Sequence, residues 1–264
     1  MQAIILAAGV GKRLQPLTNH KPKALIEVNG RSLLDNALDH LSGRDIEEVV
    51  IVVGDKKEQI INALGQSQRG MRIIYVENPV YDKTNNVYSL WLAREYINQD
   101  TILLECDLYY QRELIDTILA GEGEANILAS PYDKHTMSGT IIAANDEGRA
   151  QALIIKRDQK PELDYSCMLK TVNVYKFRKD FIVNKFLPAI DLYVRTQSDQ
   201  SYYELVLGSL IYFGNDDIRL IQIDSAKWCE IDDPEDLRRA RSMADIRVLG
   251  ADSLGSGSVC SQVG

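Results

Sequence analysis

The sequence has no apolar run long enough to cross a membrane and no Cys-x-x-Cys pair. A membrane-spanning helix needs about 20 apolar residues in succession, and the apolar stretch near the amino terminus is too short for a signal peptide. The four cysteines stand far apart at Cys106, Cys167, Cys229 and Cys260, which argues against a zinc site. We therefore expect a cytoplasmic protein with free thiols and no membrane partner.

Positive charge is also scarce, with 30 Lys and Arg against 38 Asp and Glu and a net charge of −8. A general nucleic-acid binder needs an extended basic face, so we expect no nucleic-acid partner. The amino terminus reverses this balance, because no Asp or Glu occurs before Glu27. The same stretch contains Lys12, Arg13, Lys21 and Lys23, and such a local basic window suits a small anion.

Apolar runs typical of strands alternate with helical patterns over the first 130 residues. This alternation predicts an α/β fold, a Rossmann-like three-layer α/β/α arrangement around a mixed, mostly parallel sheet. Strands are expected at 3–6, 24–28, 48–54, 71–76, 101–105 and 126–130, and helices at 32–41, 60–64, 86–97 and 111–119.

The pattern changes after residue 130, where predicted strands follow one another without long helices between them. This change indicates an antiparallel extension of the sheet. The expected strands are 140–144, 152–156, 170–177 and 218–223, and the expected helices are 181–194, 202–213 and 234–243.

A strand that leads into a Gly-rich, basic loop opens the chain. Gly9 and Gly11 allow a sharp turn that brings bare backbone N–H groups against phosphate oxygens. The spacing fits neither the P-loop nor the dinucleotide-binding pattern, which needs a third glycine where Leu14 stands. We therefore expect a triphosphate site. Its predicted residues are Leu6, Ala7, Ala8, Gly9, Gly11 and Lys12, with Arg13 and Lys23 stabilising phosphate charge.

Acidic residues occur at two places where predicted strands end, and an open parallel sheet binds its ligands at such ends. Asp107 follows the strand at 101–105, and alternation within the tripeptide 230–232 points Glu230 and Asp232 to the same side. Mg²⁺ prefers such hard oxygen ligands, so these carboxylates predict a magnesium site for the triphosphate. Asp232 could instead cap the closing helix, a role that is also open to its neighbour.

The opening loop resembles the signature of the nucleotidyltransferase superfamily, except that Lys12 stands where that family usually has Ser or Thr. Together with the segments 85–90, 105–107 and 230–232, it resembles the small cytidylyltransferases that act on phosphocholine or 2-aminoethylphosphonate. The resemblance runs over about residues 1–243. It implies the nucleotidyltransferase fold, Mg²⁺ at Asp107 and Asp232 with Glu230 nearby, and contacts from Asn85, Asn86 and Ser89 to cytosine. Asn85 could equally be a helix N-cap.

The identity of the acceptor substrate is predicted from the lack of aromatic residues in one segment of the chain. Phosphocholine needs aromatic faces around its quaternary ammonium, and the family's choline enzymes place a Trp near residues 137–142. This chain has Met137, Ser138 and Gly139 there. A primary ammonium needs hydrogen-bond acceptors instead, which favours 2-aminoethylphosphonate. The candidate acceptor-binding residues are Lys156, Glu204, Tyr202, Asp133 and His135, with Tyr202, Tyr203 and Tyr175 as candidates for a partial aromatic cage.

These patterns predict transfer of CMP from CTP to 2-aminoethylphosphonate, with release of pyrophosphate. The attacking oxygen is largely ionised near neutral pH, so no general base is required. Three alternatives remain open: a phosphocholine cytidylyltransferase, a sugar-1-phosphate nucleotidyltransferase that uses another nucleotide, and a nucleotide-sensing regulatory protein. An NAD-linked oxidoreductase is disfavoured by the missing third glycine and by the lysines at 21 and 23.

One domain is expected over residues 1–245, in which 1–130 mainly binds the nucleotide and 131–215 mainly binds the acceptor. Residues 246–264 are rich in Gly and Ser, and we expect a disordered tail or a truncated linker there. A homodimer and a fused C-terminal domain that is missing from this chain both remain open.

Overall fold

The computed structural model describes residues 1–243, so the predicted tail or linker at 246–264 lies outside the described residues. The strands are β1 (Gln2–Ala7), β2 (Glu27–Val28), β3 (Arg31–Ser32), β4 (Glu48–Val53), β5 (Ser67–Gln68), β6 (Met71–Glu77), β7 (Thr101–Glu105), β8 (Leu108–Tyr110), β9 (Ala125–Pro131), β10 (Ile141–Ala144), β11 (Ala150–Ile154), β12 (Leu169–Phe177), β13 (Ile218–Gln222) and β14 (Trp228–Glu230). The α-helices are α1 (Leu33–Leu41), α2 (Lys57–Leu64), α3 (Asn86–Ala93), α4 (Glu113–Leu119), α5 (Lys179–Phe181), α6 (Leu187–Thr196), α7 (Tyr203–Phe213) and α8 (Pro234–Ser242).

The main sheet has a parallel centre and an antiparallel side, as the sequence predicts. Its strands run in the order β11-β10-β12-β7-β1-β4-β6-β5, and β9 and β13 continue it from β12. Strand β1 pairs in parallel with β4 and β7, and β4 pairs in parallel with β6. Strand β12 pairs antiparallel with β7, β9 and β10. The predicted mixed α/β fold is therefore confirmed.

Helices cover both faces of the sheet because the central strands are apolar on both faces. Along β1, Ile5 belongs to one apolar layer and Ile4 to the other, and both are fully buried. The first layer includes side chains of α1, α2 and α4, and the second includes side chains of α3, α6 and α7. This is the predicted three-layer arrangement.

A third, smaller core lies beside the sheet and joins segments that are distant in the sequence. It packs Leu14 of the opening loop and Leu33 of α1 against Tyr109, Ile231 and Leu237. The two-stranded ribbon of β8 and β14 runs through this core and pairs Leu108–Tyr110 with Trp228–Glu230. The ribbon therefore brings the two predicted acidic segments to the same place.

Three elements differ from the prediction. The expected strand at 24–28 is a 3₁₀ turn over Lys23–Leu25 followed by the two residues of β2. The expected helix at 181–194 contains a π-helical turn over Ile182–Phe186, since Pro188 in the next turn has no N–H for regular helix hydrogen bonding. Strand β11 ends at Ile154, and Lys156 lies in a 3₁₀ turn.

None of the helices in the described part of the chain has both the length and the apolar character that crossing a membrane requires.

Candidate active site

A cleft of about 490 Å³ opens where β1 and β7 end, beside the opening loop. It brings together residues that the sequence places in all three predicted roles: nucleotide binding, metal binding and acceptor binding. The predicted residues that line it are Leu6, Ala8, Gly9, Arg13, Asn85, Asn86, Ser89, Asp107, Lys156, Tyr202, Glu204, Glu230 and Asp232.

The opening loop turns back on itself at Gly11. This residue has a left-handed backbone with φ of 66°, and an added Cβ would lie 3.1 Å from side-chain atoms of both Lys23 and Thr18. The Thr18 hydroxyl donates to the Gly11 carbonyl at 2.9 Å. Glycine is needed here both for the backbone conformation and for the close approach of Lys23. Lys12 is exposed, and neither it nor Gly11 or Ala7 lines the cleft.

Lys23 connects the loop to the acidic segments. Its Nζ donates to Asp107 Oδ2 and to Asp232 Oδ1, each at 2.8 Å, and the residue is only 8% exposed. Burial by itself lowers the pKa of Lys23, but the two aspartates outweigh it and hold that pKa above its ordinary value. Arg13 Nη2 lies 2.9 Å from the second oxygen of Asp232. The basic loop and the distant aspartates therefore face each other.

Three carboxylates meet at this point and fit a divalent cation. One oxygen each of Asp107, Glu230 and Asp232 lie within 4.8 Å of one another. Asp107 Oδ1 is buried and has no hydrogen-bond partner within residues 1–243. A buried carboxylate oxygen without a partner is unfavourable unless a cation or donor meets it. The hard oxygen donors and this free oxygen suit an ion such as Mg²⁺.

Helix α3 begins at the wall of the cleft, and its first residues are already engaged with protein groups. Asn85 is the N-cap, and its side chain accepts from the backbone N–H of Asn86 at 2.8 Å. The amide nitrogen of Asn86 donates to Glu105 at 3.1 Å and to Glu204 at 3.3 Å. Its oxygen accepts from Tyr203 N at 3.0 Å. Asn86 lines the cleft, but both of its amide hydrogens face protein carboxylates, so its contact with cytosine stays a prediction.

Ser89 lies one turn further along α3 and faces a polar residue that the sequence analysis missed. Asn78 is 1% exposed, and its amide nitrogen donates to Ser89 Oγ at 3.2 Å and to Thr84 Oγ1 at 3.0 Å. Asn78, Thr84 and Tyr81 all line the cleft beside the predicted base-binding residues. They could not be recognised from the sequence, because nothing in the loop after β6 distinguishes them from turn residues.

Glu105 and Glu204 form a second acidic pair, bridged by Asn86. Burial raises the pKa of Glu204 to about 7, although the Asn86 hydrogen bond and the charge of Lys170 oppose this shift. Burial, followed by the charges of Asp107 and Glu204, also raises the pKa of Glu105. Neither carboxylate forms an ion pair with a Lys or Arg of the described residues. Glu105 was missed by the sequence analysis, although strand alternation places it on the same side as Asp107.

Two predicted acceptor residues lie away from the cleft. The carboxylate of Asp133 accepts from His135 N at 2.9 Å and from Thr136 Oγ1 at 2.8 Å, so it shapes its own exposed loop. His135 lines a neighbouring hollow of about 570 Å³, together with Trp228 and Arg13. Neither side chain lines the cleft itself, so the acceptor roles of Asp133 and His135 stay predictions.

Of the three tyrosines predicted for a partial aromatic cage, Tyr202 lines the cleft and the other two do not. Tyr175 and Tyr203 are fully buried, with ring centroids 5.6 Å apart in an edge-on arrangement. Neither ring lines the cleft, whereas the neighbouring Tyr202 does and is 38% exposed.

A family model described as nucleotidyl transferase matches residues 2–240. The chain is 36% identical over 240 residues to CMP-5'-(3-aminopropyl)phosphonate synthase of Streptomyces rubellomurinus, covering 91% of this chain and 38% of that protein. It is 37% identical over 114 residues to 2-aminoethylphosphonate cytidylyltransferase of Lancefieldella rimae, covering 43% of this chain and 45% of that protein. The chain thus spans less than half the length of either relative.

The fold is similar to that of the CTP:phosphocholine cytidylyltransferase of Streptococcus pneumoniae, with a TM-score of 0.73 at 24% identity. The match covers 91% of this chain and 97% of that structure. At this level of identity the similarity shows the shared fold.

Proposed function

The chain belongs to the nucleotidyl transferase family, and we propose from this premise that it transfers CMP from CTP to a short aminoalkylphosphonate, 2-aminoethylphosphonate. The observation that carries the proposal is the contact of Lys23 with Asp107 and Asp232. The Gly-rich basic loop and three carboxylates meet at one point, which supports their roles as a phosphate-binding loop and a set of cation ligands. An enzyme that transfers a nucleotidyl group needs both at the α-phosphate.

Asp107, Asp232 and Glu230 would hold Mg²⁺ at this point. When bound, the cation would neutralise charge on the triphosphate and on the departing pyrophosphate. Lys23 and Arg13 would contribute positive charge to the phosphates from beside these carboxylates. Gly9 lines the cleft and Gly11 lets the loop turn, so that the loop backbone can approach the phosphate oxygens closely.

The reaction we propose forms one P–O bond and breaks another. An oxygen of the phosphonate attacks the α-phosphorus, and the bond to the β-phosphate breaks as pyrophosphate leaves with its electrons. That oxygen is largely ionised near neutral pH, so the protein need not remove a proton. The roles of Lys23 and Arg13 are therefore to position the phosphates and to stabilise charge that develops as the bond breaks.

The acceptor end of the cleft supports a substrate with a primary ammonium. Glu204 and Glu105 are carboxylates without a cationic partner among the described residues, and an ammonium can donate to both. Lys156 lies in the same cleft and suits the phosphonate group. A quaternary ammonium cannot donate hydrogen bonds and needs aromatic faces. Tyr202 and Tyr81 are the aromatic residues that line this cleft, which is less than a cage.

Product analysis tests this proposal directly. The protein is incubated with Mg²⁺, one of the four nucleoside triphosphates, and 2-aminoethylphosphonate, 3-aminopropylphosphonate, phosphocholine or glucose 1-phosphate. We expect pyrophosphate release with CTP and the aminoalkylphosphonates, and a phosphorus NMR spectrum in which a phosphonate resonance is coupled to that of a nucleotide phosphate. Faster turnover of phosphocholine, or of a sugar phosphate with another nucleotide, would overturn the acceptor assignment. A protein that binds CTP and turns over none of these acceptors would indicate a regulatory role.

A further inference from the structure

The backbone of β12 is irregular beside the cleft. Asn173 has a left-handed conformation with φ of 60°, inside a strand where extended residues precede and follow it. The pairing with β9 shifts here, since Thr171 lies opposite Ala129 while Tyr175 lies opposite Ile127. Bulges of this kind occur next to active sites, where they direct a side chain. Unlike a left-handed residue in a turn, this one interrupts a strand at the wall of the cleft, and the bulge directs its side chain.

The side chain of Asn173 lines the cleft and contacts one of the proposed cation ligands. Its amide nitrogen donates to Glu230 Oε1 at 3.4 Å. Its amide oxygen lies 3.2 Å from the hydroxyl of Thr171. An ionised carboxylate only accepts, so the contact with Glu230 requires the nitrogen end of the amide to face it.

The other oxygen of Glu230 is held by the same strand. Lys170 is 1% exposed, and its Nζ lies 3.3 Å from Glu230 Oε2 and donates to the Thr171 carbonyl at 2.8 Å. Each oxygen of Glu230 therefore has its own partner from β12. Asp107 and Asp232 are held differently, because their common partner is Lys23, which the proposed mechanism assigns to the phosphates.

We infer that Asn173 is a positioning residue, which holds the Glu230 carboxylate in the orientation that a cation needs before the nucleotide arrives. This inference rests on the proposed function, since it assumes that Glu230 is a cation ligand. Partners of ligating carboxylates orient them, and losing such a partner commonly weakens metal binding about 10- to 100-fold.

The substitution Asn173→Gly distinguishes a positioning role of the side-chain amide from a structural role of the backbone conformation. Glycine adopts φ of 60° without strain, so the backbone is preserved or relieved while the amide is removed. We expect the dissociation constant for Mn²⁺, measured by electron paramagnetic resonance without nucleotide, to rise at least about 10-fold. The melting temperature should stay the same or increase. A Mg²⁺ titration of turnover should show the same shift in half-saturation.

Asn29→Gly is the matched control, because Asn29 is also left-handed, with φ of 51°, and lies exposed in the turn between β2 and β3. Its Mn²⁺ affinity should equal that of the wild type. All affinities are compared at a temperature where circular dichroism shows each variant to be folded. Equal Mn²⁺ affinity of the wild type and Asn173→Gly would overturn the positioning role. Absence of Mn²⁺ binding by the wild type, with or without CTP, would instead overturn the cation site of the proposed function.

Discussion

The ammonium of Lys23 lies 2.8 Å from Oδ2 of Asp107, although the two residues are 84 positions apart in the chain. The same ammonium lies 2.8 Å from Asp232, 209 positions away. One lysine thus offsets the repulsion between two carboxylates that we propose as cation ligands.

Replacing Lys23 by Met should impair both turnover and stability. Turnover should fall about 100-fold or more, the scale of losing one charge-stabilising contact. Unfolding free energy should fall by about 3–5 kcal/mol, because two partly buried aspartates lose their common cation. Mg²⁺ should restore part of this loss and should raise the melting temperature of Lys23→Met more than that of the wild type. Thermal unfolding with and without Mg²⁺ measures this difference.

Lys21→Met is the control for stability, because the Lys21 side chain is 40% exposed and pairs with Glu27. Such a surface ion pair contributes about 0–1 kcal/mol. If Mg²⁺ stabilises Lys23→Met no more than the wild type, the aspartates do not bind the cation.

Substitutions of the neighbouring residues Asp232 and Asp233 should have different effects, the first on turnover and the second on stability. Asp233 accepts from the backbone N–H of Glu235 at 2.8 Å and of Asp236 at 3.0 Å, so it caps α8, whereas Asp232 faces Lys23. Asp232→Asn should lose about 100-fold or more in turnover. Asp233→Ala should retain turnover and lose about 1 kcal/mol of stability, the usual effect of removing an N-cap. Steady-state kinetics and urea unfolding of both variants test this; the reverse pattern would show that the roles are exchanged.

The acceptor affinity should depend on the protonation of Glu204. Its pKa of about 7 lies above the ordinary 4.5, mainly because it is buried, and Glu105, Glu230 and Lys170 are its charged neighbours. An alkylammonium stays protonated to about pH 10, so the KM for 2-aminoethylphosphonate should fall as the pH rises through 7. Glu204→Gln should show a high KM that varies little with pH. The KM for CTP, measured in parallel, should not follow this profile, and a shared profile would contradict the assignment.

The free energy of unfolding should decrease as the pH rises, whereas the affinity for the acceptor should increase. Between about pH 4.5 and 7 the folded protein keeps a proton on Glu204 that the unfolded chain has lost. The free energy of unfolding contributed by this group therefore decreases as the pH rises through that window. Glu204→Gln should flatten this part of the stability profile, as measured by urea unfolding at successive pH values.

Gly11→Ala should weaken nucleotide binding beyond its effect on stability. The left-handed backbone penalises alanine by about 1–2 kcal/mol, and the new Cβ would meet Lys23 and Thr18 at 3.1 Å. Gly30 is left-handed too, with φ of 81°, and nothing lies within 4 Å of a Cβ there. Gly30→Ala should thus lose similar stability without a change in the KM for CTP. Equal KM values for the two variants would show that the loop does not contact the triphosphate.

The sequence by itself determined the local elements and their chemistry. A continuous apolar run identifies β4, because a strand that is buried on both faces is apolar at successive positions. Apolar residues three and four positions apart identify α1, because a helix that is buried on one side is apolar along that face. The basic loop and Asp107 at the end of β7 could be recognised in the same way. Such features depend on residues that are neighbours in the chain.

Only the tertiary structure decided which of these features meet. The ribbon of β8 and β14 pairs Leu108–Tyr110 with Trp228–Glu230 and so places Glu230 beside Asp107. Two three-residue strands carry too little pattern to predict their pairing from sequence. Asn86 is likewise a residue type that is common at the start of a helix. The sequence does not show that its amide bridges Glu105 and Glu204. Contacts between distant segments depend on the packing of the whole chain, and the local sequence pattern of any one segment does not encode them.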